Sequence, residues 1–205
     1  MNIILLGAPG AGKGVQSKAI AEHFNIPIVS SGDILREFAK KQSTDSKLNG
    51  EMQGGQLISD EFVMELVFNE LKSNKYTNGY ILDGVPRTLV QAEAIEKHNI
   101  NIAAVIYINV PEDIVKERVL HRKVCKSCGK IYNEENKTIC AQCGGELFKR
   151  NDDNEEAIKE RLNVYHKKTE ALIEYYRAKN LLKEINGNQQ ISDVSKEIFT
   201  VLESL

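Results

Sequence analysis

The stretch Gly7-Ala8-Pro9-Gly10-Ala11-Gly12-Lys13-Gly14 decides the fold of this chain of 205 residues. Its spacing meets the pattern G-x-x-x-x-G-K, in which glycines let backbone N–H groups turn towards a phosphate and the lysine reaches the terminal phosphates. The apolar run Ile3 to Leu6 predicts a buried strand before the loop, and the apolar spacing from Val15 to Phe24 predicts a helix after it. Because a helix N-terminus attracts anions, this context predicts a polyphosphate site rather than a plain glycine turn.

Outward from the loop, predicted strands and helices alternate along the chain. Apolar runs predict further strands over 26–29, 80–83, 103–110 and 181–185. Asp60 is a candidate N-cap for one of the helices between them, and Asn154 begins a long amphipathic helix that runs towards Lys179. This alternation predicts an α/β fold, a P-loop three-layer sandwich whose five-stranded parallel sheet has helices on both faces.

The composition favours one globular domain and argues against a general nucleic-acid or membrane binder. Hydrophobic residues make up 41% of the chain, and the formal net charge is −2. The N-terminus carries no basic leader, and no stretch approaches the ~18 apolar residues of a membrane span. We therefore expect a cytosolic protein, in which the four cysteines are metal ligands or free thiols rather than disulfides.

The glycine loop departs from the general pattern at Gly14, where many P-loop proteins have a serine or threonine whose hydroxyl binds Mg²⁺. The magnesium ion that accompanies the nucleotide must then be held more by water and phosphate oxygens. Asp83, at the end of the strand predicted over 80–83, is the candidate carboxylate for that shell. A capping or turn aspartate is the alternative.

The four cysteines fall into two pairs, Cys125-x2-Cys128 and Cys140-x2-Cys143, and a glycine follows each pair. This spacing predicts a closed four-thiolate zinc site, which is structural because no position is left for substrate or water. The eleven residues between the pairs are fewer than in the usual zinc ribbon, and thiolates alone do not separate zinc from iron. The insert is too small for a core of its own, so the metal would replace one.

Arginines form a further set of candidates. Arg87 follows the strand predicted over 80–83, at the sheet edge where α/β proteins bind ligands, and Arg36 lies on the helix after Ser31. Each could form two parallel hydrogen bonds to a second phosphate, although a lone arginine is usually a surface charge. Asp152 and Asp153 are placed to orient neighbouring guanidinium groups. The other candidates beside a phosphate loop are Arg118, Arg122, Arg150 and Arg161, which taken alone would be a solvated charged face.

Three motifs in a fixed order make the pattern specific. The segments G-A-P-G-A-G-K-G at 7–14, S-S-G-D-I-L-R at 30–36 and L-D-G-V-P-R-T at 82–88 together resemble the adenylate kinase family of nucleoside monophosphate kinases. The likeness runs from Met1 to about Asn186, and the cysteine insert resembles the zinc lid of the long bacterial form. The resemblance implies reversible phosphoryl transfer from MgATP to AMP, giving two ADP, by a cytoplasmic monomer that binds neither nucleic acid nor membrane.

The resemblance also implies a division of the chain and a role for each matching residue. A P-loop core would comprise 1–29, 60–121 and 154–205, with an AMP-binding cover over 30–59 and a zinc-binding lid over 122–153. The implied catalytic residues are Lys13, Asp83, Arg87, Arg118, Arg122, Arg150 and Arg161. The implied ATP contacts are Gly10, Ala11, Gly12, Lys13, Gly14, Val15, Arg118, Arg122, Ile131, Tyr132 and Gln189. The implied AMP contacts are Ser31, Arg36, Gln56, Leu57, Ile58, Gly84, Val85, Pro86, Arg87, Gln91, Arg150 and Arg161.

The chain departs from the family pattern at three positions, and one of them, Val85 in place of the usual phenylalanine, is a packing change. Val15 stands where the family usually has threonine, so a hydroxyl beside the phosphates is lost while the backbone N–H remains. Lys123 stands where a second consecutive arginine is common, so a bidentate phosphate contact is lost there.

Three alternative functions can be weighed on the sequence. A UMP/CMP-type kinase would use the same machinery, and the motifs discriminate weakly between bases. A regulatory GTPase-like module would need Asn-Lys-x-Asp, but 74–77 and 136–139 both lack the aspartate. A zinc-ribbon nucleic-acid binder would need a basic ribbon face, and glutamates in the insert offset its lysines.

Overall fold

The computed structural model describes residues 1–41, 58–134, 136–150 and 152–205. The described strands, in chain order, are β1 Asn2–Leu6, β2 Ile28–Ser30, β3 Tyr80–Asp83, β4 Ala104–Asn109, β5 Lys123–Cys125, β6 Ile131–Tyr132, β7 Leu147–Phe148 and β8 Leu182–Asn186. Five of them form one parallel sheet in the order β2-β3-β1-β4-β8. This confirms the predicted five-stranded parallel sheet.

Helices connect the strands of this sheet. The described α-helices are α1 Lys13–Phe24, α2 Ser31–Lys41, α3 Asp60–Leu71, α4 Leu89–Lys97, α5 Glu112–Leu120, α6 Glu155–Val164, α7 Ala171–Ala178 and α8 Ile191–Glu203. A short 3₁₀ turn covers Asn74–Tyr76, and a π-helical turn covers Tyr165–Thr169. Within the described ranges, none of these helices is long and apolar enough to cross a bilayer.

The sheet separates two apolar cores, because successive side chains of a strand point to opposite faces. In β1, Ile3 and Leu5 pack into one core with α1, α5, α6 and α8. Ile4 and Leu6 pack into the other core with α3, α4 and α7. All four of these side chains are buried. Two helical layers around one sheet give the predicted three-layer sandwich.

In the strand order β1 lies between β3 and β4. The strands that follow β1 along the chain are therefore added first on one side of it and then on the other. Ile3 of β1 lies opposite Ile81 of β3 and Ala104 of β4. Parallel α/β sheets bind ligands at the carboxyl ends of strands, beside such a change of direction. The glycine loop after β1 and Asp83 at the end of β3 both lie there.

The cysteine insert is a separate small sheet with the antiparallel order β6-β5-β7. A bridge between Ile139 and Glu146 closes the second cysteine turn. Its core holds Cys125, Tyr132 and Cys140. The division of the chain into core, cover and lid stays a prediction, and 42–57 of the predicted cover fall outside the described residues.

Two local expectations are wrong. Ser59, not Asp60, is the N-cap of α3, because its hydroxyl accepts from the N–H of Phe62 and Asp60 is already helical. The helix expected to run from Asn154 towards Lys179 is interrupted by the π-helical turn, where the Glu170 N–H reaches the Tyr165 carbonyl at 2.9 Å. Asn154 does cap α6, as its side chain accepts from the N–H of Ala157.

Candidate active site

The glycine loop lies between β1 and α1, as its sequence predicts. Gly10 has φ +93°, and a Cβ added there would lie 2.6 Å from Cγ2 of Val119 on α5. No larger residue fits this conformation and this contact, so the loop is held tightly against α5. The first turn of α1 has no side-chain cap. The Val15 N–H donates to the Gly12 carbonyl at 3.0 Å, and the positive end of the helix dipole at Lys13 and Gly14 favours an anion.

Lys13 lies at the base of the cleft, half-buried, in the first turn of α1. Its ammonium group donates to the carbonyl oxygens of Gly7 at 2.6 Å and Ala8 at 2.9 Å. Its pKa is lowered from the ordinary value of 10.5 to about 8, chiefly by desolvation. The guanidinium charges of Arg87, Arg161 and Arg122 also lower this pKa, and the Asp83 carboxylate opposes the shift.

The arginines near Lys13 are held by two aspartates. Arg122 forms a bidentate pair with Asp153, a buried carboxylate two residues before the start of α6. Asp152 accepts from Arg150 at 2.9 and 2.7 Å and from Arg161 at 3.1 Å. The sequence prediction that these two aspartates orient guanidinium groups is consistent with these contacts.

Burial and neighbouring charges both act on the titratable groups of this cluster. The pKa of Arg161 is lowered to about 10, chiefly by desolvation and also by the charges of Arg122, Arg150 and Arg87, while Asp152 opposes the shift. Burial opposes ionisation of Asp152, but Arg150 and Arg161 outweigh it and lower the pKa of this carboxyl. A cleft with this excess of fixed cations attracts an anion with several charges.

A second set of polar groups surrounds Gly84, directly after β3. The Gly84 carbonyl accepts from the Ser31 hydroxyl at 2.8 Å and from Arg87 Nε at 2.7 Å. Gly84 has φ +82°, and a Cβ there would lie 2.8 Å from the Ser31 hydroxyl oxygen. The Arg87 N–H donates to Gln91 Oε1 at 2.7 Å, and Gln91 is buried. These bonds fix Arg87 beside Gly84, directly after the end of β3.

The pKa of the Arg87 guanidinium is lowered by desolvation and by the charge of Arg36, and Asp83 opposes the shift. Arg36 itself lies on α2 and pairs with Asp33 at 2.6 Å. Arg36 and Arg87 thus lie on separate elements with charges that interact. Guanidinium groups are suited to bind a phosphate through two parallel hydrogen bonds.

The four cysteine sulfurs lie within 4.8 Å of one another. Cys125 and Cys143 are 3.5 Å apart between sulfurs, and Cys128 and Cys140 are 3.6 Å apart. A tetrahedral Zn²⁺ with Zn–S bonds of about 2.3 Å would space its sulfurs by roughly 3.8 Å, so the cluster fits such an ion. Each pair sits in a turn closed by a glycine N–H that reaches the carbonyl of the first cysteine, at 3.0 Å for Cys125 and 2.9 Å for Cys140.

Comparison with known proteins agrees with this geometry. A family model described as adenylate kinase matches residues 5–181. The adenylate kinase of Archaeoglobus fulgidus is 44% identical over 217 positions, which cover 100% of this chain and 99% of that relative. The adenylate kinase of Caldicellulosiruptor saccharolyticus is 45% identical over 212 positions, covering 98% of this chain and 99% of that relative. The adenylate kinase of Alkaliphilus oremlandii is 44% identical over 215 positions, covering 100% of this chain and 99% of that relative.

The chain belongs to the adenylate kinase family.

Several residues expected to contact nucleotide in this adenylate kinase family member have side chains that bond to other groups of the protein. The Tyr132 hydroxyl lies 3.2 Å from the Cys140 sulfur and accepts from the Ala141 N–H at 3.0 Å, so it belongs to the cysteine cluster. Gln189 is exposed and donates to the Asn186 carbonyl and to Glu197. Arg118 donates to the Gly187 carbonyl at 3.0 Å. Their roles as ATP contacts stay predictions.

The structure describes only some of the remaining residues that were expected to contact AMP. Gln56 and Leu57 lie outside the described residues. Ile58 is buried, and so are Val85 and Pro86. Their roles stay predictions as well.

Two contacts that the sequence did not predict support the adenylate kinase site. Asp60, at the first turn of α3, accepts from Gln91 Nε2 at 2.7 Å and so anchors the residue that holds Arg87. Thr169, in the π-helical turn, donates its hydroxyl hydrogen to the Arg87 carbonyl at 2.8 Å. Neither contact has a local sequence signal, because each joins elements that are far apart along the chain.

Proposed function

We propose that the reaction of this enzyme, MgATP + AMP ⇌ 2 ADP, proceeds by direct in-line phosphoryl transfer in the cleft between Lys13 and Arg87. The observation that carries the proposal is the position of the glycine loop and Lys13 at the carboxyl edge of the sheet, where Asp83 ends β3 and Arg87 follows, in a chain of the adenylate kinase family. The transferred group spreads negative charge over its oxygens, and catalysis of this step is mostly positioning and electrostatic stabilisation. Fixed cations at this point supply that stabilisation.

In this proposal, the two phosphate-binding regions hold two nucleotides. The loop N–H groups and Lys13 hold the β- and γ-phosphates of ATP, and Arg36 and Arg87 hold the phosphate of AMP. No general base is required, because the acceptor is a phosphate oxygen, and a phosphate with a second pKa of about 6 is already ionised near neutral pH. The arginines at 150 and 161 lie between the two phosphates.

Magnesium and zinc enter the proposal in different roles. Mg²⁺ accompanies ATP and neutralises phosphate charge, and Asp83 is the carboxylate beside the loop that would orient the water of its shell. Structural Zn²⁺ would be held by Cys125, Cys128, Cys140 and Cys143 and would keep the insert folded. Lys18 of α1 donates to the Gly129 carbonyl in the first cysteine turn at 3.1 Å, which places the insert against the helix of the glycine loop.

The insert and the segment 30–59 would act as covers that exclude water during transfer, because water in the cleft would hydrolyse ATP. A cleft lined by Ile114, Arg118, His121 and Asn133 lies between α5 and the insert. We assign it to the base and ribose of ATP. The monomeric state and the cytoplasmic location stay predictions.

The choice of acceptor is tested by a nucleotide assay. With ATP as donor, we expect ADP to form at least tenfold faster with AMP than with CMP or UMP at equal concentration, since one lost hydrogen bond at the base costs about 1.4 kcal/mol or more. The measurement is the initial rate of ADP formation with each acceptor, together with the zinc content of the same sample. Equal rates with all three acceptors would favour a UMP/CMP-type kinase instead.

The pH dependence of ATP binding should report the pKa of Lys13. This pKa is about 8 in the free enzyme, and bound phosphates would raise it because they favour the ammonium form. Below pH 8 the lysine is charged in both states and contributes no pH dependence. Above pH 8 binding must take up a proton, so the affinity should fall by up to about tenfold per pH unit.

Calorimetric dissociation constants for ATP from pH 7 to 9.5 check this expectation. The matched variant is Lys13→Arg, whose guanidinium stays charged over this range. The affinity of this variant for ATP should therefore not begin to fall near pH 8. An affinity of the natural protein that stays level up to pH 9.5 would contradict the assigned contact between Lys13 and the phosphates.

A further inference from the structure

Ser17 lies beside Asp83, the carboxylate proposed to orient the water around magnesium. Neither the glycine-loop motif at 7–14 nor the motif at 82–88 predicts this position. It lies on α1, four residues after Lys13, and therefore on the same face of that helix. Its side chain is 2% exposed, and its hydroxyl oxygen lies 3.2 Å from Oδ2 of Asp83. A carboxylate oxygen accepts only, so the hydroxyl is the donor in this bond.

The glycine loop of this chain lacks a hydroxyl at both positions that could supply one. Gly14 stands where many P-loop proteins have serine or threonine, and Val15 stands where threonine is usual in the family. A Cβ added at Gly14 would lie 3.8 Å from Oδ2 of Asp83, in ordinary van der Waals contact. The Asp83 carboxylate thus lies directly against the first turn of α1, within reach of a hydroxyl from one turn further on.

We infer that Ser17 is a positioning residue for the magnesium-binding end of the reaction, because it fixes the carboxylate of Asp83. One hydrogen bond to Oδ2 sets the rotation of the carboxylate and leaves its remaining lone pairs for the water molecules around MgATP. A hydroxyl on α1 then performs indirectly what a hydroxyl at 14 or 15 performs directly. The inference rests on the proposed role of Asp83.

The inference is tested with Ser17→Ala and calorimetric ATP binding, with and without Mg²⁺. Hydrogen bonds to charged groups contribute enough that losing one should weaken MgATP binding about tenfold. Binding of ATP in the presence of a chelator should change less than twofold, and the KM for AMP should stay the same. The free Mg²⁺ concentration needed for half-maximal rate should rise by a similar factor.

The matched control is Ser195→Ala. The Ser195 hydroxyl donates to Gln16 Oε1 at 2.8 Å, so this variant also removes a partly buried hydroxyl bond to α1. It should lower the melting temperature to a similar degree and leave the magnesium dependence unchanged. A change in magnesium dependence in this control as large as in Ser17→Ala would overturn the inference.

A double-mutant cycle separates positioning from packing. In an Asp83→Ala background, Ser17→Ala should have no additional effect on the magnesium dependence, because its partner is gone. Equal MgATP affinity in the natural protein and in Ser17→Ala, or an undiminished effect in the Asp83→Ala background, would overturn the inference. These binding measurements need no AMP, so they remain decisive even if the acceptor assay were to refute the proposed reaction.

Discussion

Replacing Arg87 by alanine is expected to lower kcat by about three orders of magnitude and to leave ATP binding almost unchanged. Arginines that stabilise a transferred phosphoryl group contribute factors of about 10³ or more. Arg87 faces the second phosphate region, held by Gly84 and Gln91, whereas the contacts assigned to ATP lie around Lys13. The checks are kcat from the ADP-forming assay and the dissociation constant of ATP from calorimetry.

Two further variants sharpen this prediction. Arg87→Lys should recover only part of the rate, since an ammonium group cannot form two parallel bonds to a phosphate. Arg177→Ala is the matched control. Arg177 is an exposed arginine of α7 that pairs with Glu174 and Glu184. It should keep full activity. Unchanged turnover in Arg87→Ala would contradict the role assigned to this arginine.

The second large effect is expected in Cys128→Ser. The variant should not bind one equivalent of zinc per chain. Loss of the structural metal should lower the free energy of unfolding by about 4 kcal/mol and the melting temperature by about 10 °C. Among the described residues, the small core of the insert holds Cys125, Tyr132, Cys140 and Leu147 besides Cys128, which is too little to replace the crosslink. At low temperature the phosphoryl transfer step should be affected much less, because a closed four-sulfur site touches no substrate.

Metal analysis and differential scanning calorimetry measure both parts of this expectation. Lys126→Ser places the same side chain two residues away, at an exposed lysine that pairs with Glu146. It should bind zinc and melt within about 1–2 °C of the natural protein, as is usual for surface substitutions. A natural protein that contains no zinc, or an unchanged melting temperature in Cys128→Ser, would remove the proposed structural role of the metal.

The parts of the molecule that the sequence predicted are those whose signal is local. The loop from Gly7 to Gly14 carries its conformation in its glycines, and the five strands carry theirs in apolar runs. The cysteine spacing likewise brings four sulfurs together without reference to the rest of the chain. Element ends shifted by a residue or two because neighbouring residues such as Ser59 and Asp60 are both good N-caps, and tertiary packing selects between them.

The parts that the sequence could not predict depend on contacts between distant elements. Thr169 reaches the Arg87 carbonyl from the π-helical turn, and a periodic apolar pattern does not reveal an extra residue in one helical turn. Gln91 was expected at the AMP pocket, but its buried bond to Asp60 joins positions 31 residues apart. The Tyr132 hydroxyl lies beside Cys140 because the insert folds around its sulfurs.

The aspartates at 152 and 153 have a consequence for how tightly nucleotides are held. Each already accepts hydrogen bonds from arginines that would otherwise face phosphate. A nucleotide that recruits these arginines must compete with internal carboxylates, so its affinity reflects an exchange of partners rather than the full strength of new ion pairs. Such competition weakens substrates and products alike. For an enzyme that must run in both directions, easy release of every nucleotide is worth more than tight binding of any one.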